Sequence, residues 1–262
     1  MARGRLAGKV ALVTGAGGEG EPEGVGTAIA RRFAAEGALV GVLDRDAARA
    51  GETCRLIDAA GGTAMPLLVD VTDSAACARA VDACAGEFGR LDILVNNAAL
   101  VGNADLADEA DWQRVLQVNL TGTMHMTRAA LAPMGRGGGG AIVNIVSIAA
   151  LRGFYGPAYS ASKGAVVAFS ATIAHNHGRQ GIRVNCIAPG HIVAPMSAGA
   201  DEATRARLRA ASLLGSDGFA ADIANGALFL ASDEARWITG TVLPIDGGAI
   251  ATTGAGIDML NR

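Results

Sequence analysis

Short apolar runs alternate with longer amphipathic or alanine-rich runs along the whole chain, and no other feature of the sequence constrains the fold as strongly. Most short runs are apolar throughout, which is typical of strands covered on both faces. The predicted strands are 10–14, 39–43, 64–69, 91–96, 141–146, 182–187 and 241–245. The predicted helices are 24–36, 46–60, 73–88, 108–133, 157–178, 202–213 and 219–231. This alternation predicts an α/β fold, a doubly wound parallel sheet of about seven strands with helices on both faces.

Composition and charge fit a compact enzyme-sized domain. Of 262 residues, 50% are hydrophobic, 18% are charged and 37 are glycine, which argues against disorder. We find no internal repeat and no linker, so we expect residues 1–262 to form a single domain. The net charge is −3, from 22 basic and 25 acidic side chains without long runs. Neither nucleic acid nor a membrane is therefore an expected partner.

The chain also lacks the usual signals of export. No apolar run approaches the roughly 18 residues that span a bilayer. The basic start is followed by an apolar stretch that is too short for a signal peptide and that continues directly into a glycine-rich turn. The cysteines show no CxxC spacing and fit reduced thiols: Cys54, Cys77, Cys84 and Cys186. We therefore expect a cytoplasmic protein.

A dinucleotide site is predicted near the amino terminus. The first predicted strand ends at Thr14-Gly15, a helix opens near Gly24-Val25-Gly26, and the second strand is followed by Asp44, 18 residues after Gly26. Glycines let the backbone approach a pyrophosphate, whose charge meets the N–H groups of the helix. A carboxylate at Asp44 accepts hydrogen bonds from both ribose hydroxyls and repels a 2′-phosphate, which favours NAD over NADP. The neighbouring Arg45 keeps NADP open, and Asp44 could instead cap the next helix.

Several further motifs stand in a fixed order. After the glycine turn come Asp70-Val71, Asn96-Asn97-Ala98-Ala99, Asn119, Ser147, Tyr159-Ser160-Ala161-Ser162-Lys163, Pro189-Gly190 and Asp246-Gly247-Gly248. With these motifs the chain resembles the short-chain dehydrogenase/reductase family over nearly its full length. The resemblance implies a Rossmann-type fold and these cofactor-binding residues: Gly15, Gly24, Gly26, Asp44, Asp70, Val71, Asn97, Tyr159, Lys163, Pro189, Gly190 and Ile192.

The glycine turn departs from the family pattern, because eight residues separate Gly15 from Gly24 where the family has three. The insert, 18–23, carries acidic residues that would be unfavourable beside a pyrophosphate, so we expect it to bow outward. Pro22 suits a first helical position and Glu23 suits the positive end of a helix, which predicts a helix start near these residues. The insert is either a tolerated surface loop or an additional discrimination against NADP.

The pair Tyr159 and Lys163 is predicted to carry the chemistry. Four residues apart on a helix, the two side chains lie on one face. Oxidation of a secondary alcohol needs a base, and lowering a tyrosine pKa of about 10 by about three units corresponds to roughly 4 kcal/mol. One ammonium about 4 Å away, at an effective dielectric constant near 20, supplies about that much.

The resemblance assigns a role to each residue of the catalytic set. Tyr159 is implied to be the general base, with Lys163 as its activator and ribose anchor. Ser147 is implied to hold the substrate oxygen, and Asn119 to fix a water that links Lys163 to solvent. Ser147 and Tyr159 are 12 residues apart, one fewer than is common in the family, which predicts a tighter loop between them.

The sequence is less specific about the roles of several other positions. Ala194 stands where the family often has a threonine that contacts the cofactor, so anchoring there must use backbone groups. His191 either contacts substrate or packs in its loop, and Tyr155 either lines the pocket or packs. His175 and His177 are two apart on a helix and do not face one another, so no metal site is expected.

The segment near 195–215 is predicted to form a mobile cover over the substrate. Met196, Leu213 and Leu214 suggest that the cavity beneath it is apolar. The arginines Arg205, Arg207 and Arg209 are interpreted as a solvated helix face.

The sequence thus predicts an NAD-dependent oxidoreductase that interconverts a secondary alcohol and a ketone on a small to medium-sized, fairly apolar molecule. A 3-oxoacyl-thioester reductase is the nearest alternative, and a non-catalytic dinucleotide-binding regulator is an alternative of a different class. The resemblance also implies a homo-oligomer, usually a tetramer, formed through the helices near 108–133 and 157–178 and the C-terminal strand region.

Overall fold

The computed structural model describes residues 4–18, 22–154, 156–195, 199 and 201–253. The strands are β1 (Val10–Thr14), β2 (Leu39–Asp44), β3 (Thr63–Leu68), β4 (Ile93–Asn96), β5 (Gly140–Ile145), β6 (Ile182–Pro189), β7 (Ile192–Val193), β8 (Gly218–Phe219) and β9 (Val242–Ile245). The α-helices are α1 (Val25–Ala35), α2 (Ala47–Ala59), α3 (Ser74–Phe88), α4 (Glu109–Leu116), α5 (Gly122–Arg136), α6 (Pro157–His177), α7 (Glu202–Ala210) and α8 (Ala220–Ala231). A parallel sheet runs in the order β3-β2-β1-β4-β5-β6-β9, and β7 pairs with β8 in a separate ribbon. The predicted Rossmann-type fold is confirmed.

The strand order reverses between β1 and β4. From β1 the chain moves outward through β2 and β3, then crosses back to β4 and continues through β5 and β6 to β9. Val13 of β1 is in register with Val42 of β2 on one side and with Val95 of β4 on the other. In an open α/β sheet, ligands bind outside the carboxyl ends of the strands at such a reversal. The fold therefore places the binding crevice where β1 and β4 end.

The core explains why the strands are apolar throughout. In β1, Ala11 and Val13 pack against α1 and α8, in a cluster that includes Phe33. The alternate residues Val10 and Leu12 pack on the other face, in a cluster formed with α3 and α5. Both faces of the strand are thus removed from water, so no polar alternation appears. Within the described chain, no helix is long and apolar enough to cross a membrane.

The long helix predicted over 108–133 is interrupted. It consists of α4 and α5 joined by a π-helical turn, Gln117–Thr121. Pro133 lies inside α5, which runs on to Arg136. The π-helical turn matters for function because it contains Asn119, and π-helical turns are frequent at functional sites.

One prediction about a helix end is wrong, and one pair of short strands was not predicted. Helix α1 begins at Val25, with Gly24 as the N-cap, and not near Pro22 or Glu23. The ribbon of β7 and β8 was not predicted, since two-residue strands leave no periodicity to detect. This ribbon positions the chain that follows β6.

The four cysteines are free and buried, as Cys54, Cys77, Cys84 and Cys186. Burial raises the pKa of Cys84 to about 12. A thiol with so high a pKa is a poor nucleophile at neutral pH, so Cys84 behaves as a packing residue.

Candidate active site

The glycine turn after β1 is held against the end of β4. Gly15 has φ +60°, a left-handed conformation that favours glycine. The Asn97 side chain donates from Nδ2 to the carbonyls of Thr14 (3.0 Å) and Gly15 (2.9 Å). The Thr14 hydroxyl accepts from the backbone N–H of Asn97 at 2.9 Å. Asn97 therefore holds the glycine turn against the end of β4 through these hydrogen bonds. Its contact with a cofactor stays a prediction.

Helix α1 approaches this turn so closely that only glycine fits at one position. A Cβ on Gly26 would lie 2.2 Å from the Gly15 carbonyl oxygen and 2.9 Å from Ala16 Cα. At Gly24, by contrast, the nearest atom to an added Cβ is Thr27 Oγ1 at 3.8 Å. Gly26 therefore permits the close approach of α1 to the turn, whereas Gly24 is the N-cap of α1 and has open space beside it. Both glycines nevertheless belong to the same sequence motif.

This difference gives a matched pair of variants. Gly26→Ala is expected to lower the free energy of unfolding by about 1–3 kcal/mol or more, because backbone atoms must shift to admit the methyl group. Gly24→Ala is expected to change it by less than about 1 kcal/mol. Chemical denaturation of both variants measures the contrast, and equal stabilities would contradict the observed approach of α1 to the turn.

In the described part of the insert, the charge of Glu23 is paired within the protein. The Glu23 carboxylate forms an ion pair with Arg31 on α1 at 2.6 Å. The backbone N–H of Gly18 donates to Thr53 Oγ1 (3.2 Å), whose hydroxyl donates to the Ala16 carbonyl (2.8 Å). Residues 19–21, with Glu19 and Glu21, lie outside the described residues, so the outward course of the whole insert stays a prediction. Sequence reasoning missed Thr53, which α2 brings to the turn.

Asp44 lies at the carboxyl end of β2 and is 9% exposed. Its Oδ2 accepts from the backbone N–H of Gly17 at 2.9 Å, and its Oδ1 accepts from that of Asp46 at 3.1 Å. The cap of α2 is Asp46, whose side chain accepts from Ala48 and Arg49, so the alternative that Asp44 caps this helix is wrong. A carboxylate fixed at this edge suits recognition of ribose hydroxyls.

The residues around the turn fit a dinucleotide. Gly24 provides no side-chain cap, and the first turn of α1 has no acidic residue, so its N–H groups can receive a phosphate. Arg45 is exposed beside Asp44, and the Arg49 guanidinium donates to the Gly17 carbonyl at 3.1 Å. Asp70 is exposed and accepts from the hydroxyl of Thr72 at 2.8 Å. Val71 is buried beside it.

Tyr159 and Lys163 lie on the same face of α6. The Lys163 ammonium is 5.7 Å from the centroid of the Tyr159 ring and donates to the Ile145 carbonyl at 2.8 Å. Both side chains are buried, with Tyr159 8% and Lys163 3% exposed. The ring of Phe154 lies 5.9 Å from that of Tyr159. Burial lowers the pKa of Lys163 to about 8, so the side chain keeps most of its charge at pH 7.

The lowered pKa gives a prediction about stability. Since Lys163 has a pKa of about 8 when folded and an ordinary value of 10.5, the unfolded chain binds more protons between these pH values. The lysine therefore destabilises the fold most below pH 8, by about 3 kcal/mol, and this penalty disappears as the pH rises to 10.5. Relative to Lys163→Met, the wild-type free energy of unfolding should rise across this interval. Denaturation curves at several pH values test this, and a constant difference between the two proteins would contradict it.

Asn119 is buried in the π-helical turn and joins two parts of the site. Its side-chain amide forms a pair of 2.8 Å hydrogen bonds with the backbone of Leu100, in the loop after β4. Its Nδ2 also donates to Ser162 Oγ at 3.0 Å, and Ser162 donates in turn to the Tyr159 carbonyl. Asn119 thus ties the β4 loop to the start of α6. Its role in fixing a water stays a prediction.

Ser147 follows β5 and caps a short 3₁₀ turn, Ile148–Ala150. Its Oγ accepts from the backbone N–H of Ala149 at 3.1 Å, a bond that leaves the hydroxyl proton available for donation. This 3₁₀ turn forms part of the loop between Ser147 and Tyr159, which the sequence predicts to be tighter than in the family. Tyr155, in the same loop, lies outside the described residues.

The loops after β6 and β9 pack on one another. Gly190 donates to the Ile245 carbonyl at 2.9 Å, and a Cβ on Gly190 would lie 2.6 Å from Asp246 Cα. Pro189 ends β6, and Ile192 enters β7. Ala194 is buried, 6% exposed. The chain between Pro189 and Ala194 is therefore held close to the C-terminal turn.

A cavity of about 270 Å³ lies under α7. Its lining residues include His191, Ile192, Arg205, Leu208, Arg209, Leu214, Asp217, Asp222 and Asp246. The predicted apolar cavity is thus lined by several charged side chains. The interpretation of the three arginines as one solvated face is wrong, because Arg205 and Arg209 line the cavity and only Arg207 is exposed. Met196 lies outside the described residues.

Comparisons with known proteins find relatives that match nearly the whole chain. A family model described as enoyl-(acyl carrier protein) reductase matches residues 18–250. The 2,5-dichloro-2,5-cyclohexadiene-1,4-diol dehydrogenase LinX of Sphingobium indicum is 40% identical, over 93% of this chain and 97% of its own. The 3-oxoacyl-(acyl-carrier-protein) reductase FabG of Thermotoga maritima is 36% identical over 94% and 99%. A solved structure of 7α-hydroxysteroid dehydrogenase, complexed with NADH and 7-oxo glycochenodeoxycholic acid, is 34% identical over 93% and 95%, with a TM-score of 0.88.

Proposed function

Because the chain belongs to the short-chain dehydrogenase/reductase family, we propose that it is an NAD-dependent dehydrogenase. It interconverts a secondary alcohol and a ketone on a small to medium-sized, largely apolar molecule. The observation that carries this proposal is the position of Tyr159 and Lys163, buried side by side on α6 with the lysine bonded to the end of β5. That arrangement supports proton transfer at a carbon that faces a bound dinucleotide.

The side chains divide the work as follows. Tyr159 takes the hydroxyl proton of the alcohol, and Lys163 stabilises the resulting phenolate through its positive charge. Ser147 donates its hydroxyl proton to the substrate oxygen. Asn119 positions the start of α6 through Ser162 and fixes the water that connects Lys163 to solvent. The bound dinucleotide supplies the hydride acceptor.

NAD is the proposed cofactor, held by Gly15, Gly24, Gly26, Asp70, Val71, Asn97, Pro189, Gly190 and Ile192 together with Tyr159 and Lys163. Asp44 supports the choice of NAD, since its buried carboxylate would meet the 2′-phosphate of NADP at close range. The backbone N–H groups that hold Asp44 keep its carboxylate at this edge of the sheet.

One observation favours a second candidate. FabG of Thermotoga maritima, whose name specifies a 3-oxoacyl-thioester substrate, is 36% identical to this chain. A reductase of this kind, working toward the alcohol, would use the same Tyr159 and Lys163. Asp44 argues against a preference for NADPH. A purely regulatory dinucleotide-binding protein has no use for the Tyr159–Lys163 pair, so we place it last.

We further propose a cytoplasmic homo-oligomer, a tetramer formed through α4, α5, α6 and the region of β9. Small side chains on the outer face of α6 support close helix packing, since Ala161 and Ala168 are exposed there in the single chain.

A direct assay tests the proposal. Secondary alcohols and the corresponding ketones are screened with NAD and NADP separately, and absorbance of the reduced nicotinamide is followed. We expect alcohol-dependent reduction of NAD. Turnover of 3-oxoacyl thioesters with NADPH alone would favour the second candidate, and no turnover with any substrate would contradict both.

A further inference from the structure

We propose that the substrate carries a single carboxylate, which binds between Arg205 and the Arg152–His191 pair at the cavity under α7. This inference rests on the proposed function and specifies its substrate class as a hydroxy acid with an apolar body. Three loops and one helix supply the groups concerned.

The Arg152–His191 pair brings together the loops after β5, β6 and β9. One Arg152 nitrogen, Nη1, donates to the Ala249 carbonyl at 2.9 Å, and Nη2 lies 3.4 Å from His191 Nε2. A guanidinium has five N–H donors, so these two contacts leave others for a ligand. Burial and the charge of Arg152 lower the pKa of His191, so the imidazole is a neutral donor and acceptor at pH 7.

Arg152 is not neutralised by any carboxylate of the described residues. The ion pairs among those residues join other arginines and lysines to acids, and none includes Arg152. The contacts of Arg152, a carbonyl and an imidazole, carry no charge. Arg152 is exposed and does not itself line the cavity, but its partner His191 does. A positive charge next to a cavity-lining residue favours an anionic group.

Arg205 contributes a second positive charge, from α7. It lines the cavity with His191 and is half-buried. No ion pair to Arg205 occurs in the described chain, whereas Arg209, one turn further along the same helix, pairs with Glu202 and with Asp217 (3.1 Å). Of these two cavity-lining arginines, Arg205 is therefore the one available to a ligand.

The acidic residues of the cavity favour a ligand with no more than one negative charge. Asp222 accepts from the backbone N–H of Phe219 at 2.8 Å. Asp246 accepts from those of Gly248 (2.9 Å) and Ile250 (2.8 Å). Each further negative charge on a ligand would increase its repulsion from these carboxylates, which favours a monoanion over a polyanion. A single planar carboxylate matches a guanidinium, and Leu208 and Leu214 offer apolar surface to the rest of the substrate.

The test compares matched substrates and matched arginines. Hydroxy acids with a cyclohexane or linear body, such as 4-hydroxycyclohexanecarboxylate, are assayed beside the amides of the same acids. We expect wild-type kcat/KM to favour the acid by at least about tenfold. Arg205→Ala and Arg152→Gln should each reduce the acid-to-amide ratio by about tenfold. The control, Arg207→Ala, removes an exposed arginine of the same helix and should leave the ratio unchanged.

Binding without turnover provides the second readout. Isothermal titration of cyclohexanecarboxylate into the enzyme–NADH complex should show weaker binding in both variants, while their affinity for NADH stays at the wild-type value. An equal loss of NADH affinity would mean that the arginines serve the cofactor, and the inference would be overturned. A wild-type acid-to-amide ratio near one would also overturn the inference. A preference for a 3-oxoacyl thioester over the hydroxy acid would do the same.

The dehydrogenase activity and the carboxylate site can be contradicted separately. Turnover of neutral alcohols with no preference for acids would leave the proposed function intact and remove the carboxylate. Arginine-dependent binding of cyclohexanecarboxylate without turnover of any alcohol would support the anion site and contradict the dehydrogenase.

Discussion

Tyr159→Phe is expected to lower kcat by about 10²- to 10⁴-fold, which is the usual contribution of general acid–base catalysis. The variant loses only the hydroxyl group, and the ring can stay packed beside Phe154 and Lys163. Affinity for NADH, measured by the fluorescence of the bound cofactor, should change little. Steady-state rates with an alcohol and with the corresponding ketone should fall together, since one group handles the proton in both directions.

A packing variant serves as the control for Tyr159. Phe154→Leu removes the aromatic ring whose centroid lies 5.9 Å from that of Tyr159, but keeps the phenol. We expect it to retain a kcat within about tenfold of the wild-type value, because exposed contacts contribute little. If Tyr159→Phe kept full activity, Tyr159 would not be the base. If Phe154→Leu lost as much kcat as Tyr159→Phe, altered packing around Tyr159 would explain the loss in both variants.

Asp44→Asn is expected to reduce the ratio of kcat/KM for NAD to that for NADP by about 10- to 100-fold. A hydrogen bond to a charged group contributes about 1.5–3 kcal/mol, and the carboxylate is placed to accept from the ribose. Removing its charge also removes the repulsion of a 2′-phosphate. Asparagine offers one acceptor oxygen where the carboxylate offers two, so it can accept from the N–H of Gly17 or from that of Asp46, but not from each through a separate atom.

The neighbouring carboxylate supplies the control for Asp44. Asp46→Asn removes one negative charge two residues away and keeps a side chain able to cap α2. The NAD-to-NADP ratio should stay within about twofold of the wild-type value. Separate titrations with NADH and NADPH give the same comparison without turnover. An unchanged preference in Asp44→Asn would contradict the proposed choice of cofactor.

The fold could be predicted from the sequence because its strands are buried on both faces. Val10 and Val13 face opposite sides of the sheet and are both fully buried, so the run reads as apolar throughout. The order of helices and strands then follows from the alternation alone. The motif residues Asp44, Ser147 and Pro189 occur at or just beyond strand ends, where parallel strands bring them to one edge.

What the sequence did not reveal depends on contacts made in three dimensions. Pro22 favours a helix start, but the close approach of Gly26 to the Gly15 carbonyl fixes where α1 begins. The π-helical turn around Asn119 has no compositional signal. Arg205 and Arg207 look alike in sequence, and only the packing of α7 over the cavity separates a lining residue from an exposed one.

The ionisation of Tyr159 tests the central claim most directly. The chain contains two tyrosines, so the tyrosinate absorbance of the wild type minus that of Tyr159→Phe isolates this phenol during a pH titration. With NAD bound, we expect its midpoint about two to three units below the ordinary value of about 10, and a shift back toward 10 in Lys163→Met. A midpoint near 10 in both proteins would contradict the account, because the lysine would then not make the phenol a base at neutral pH.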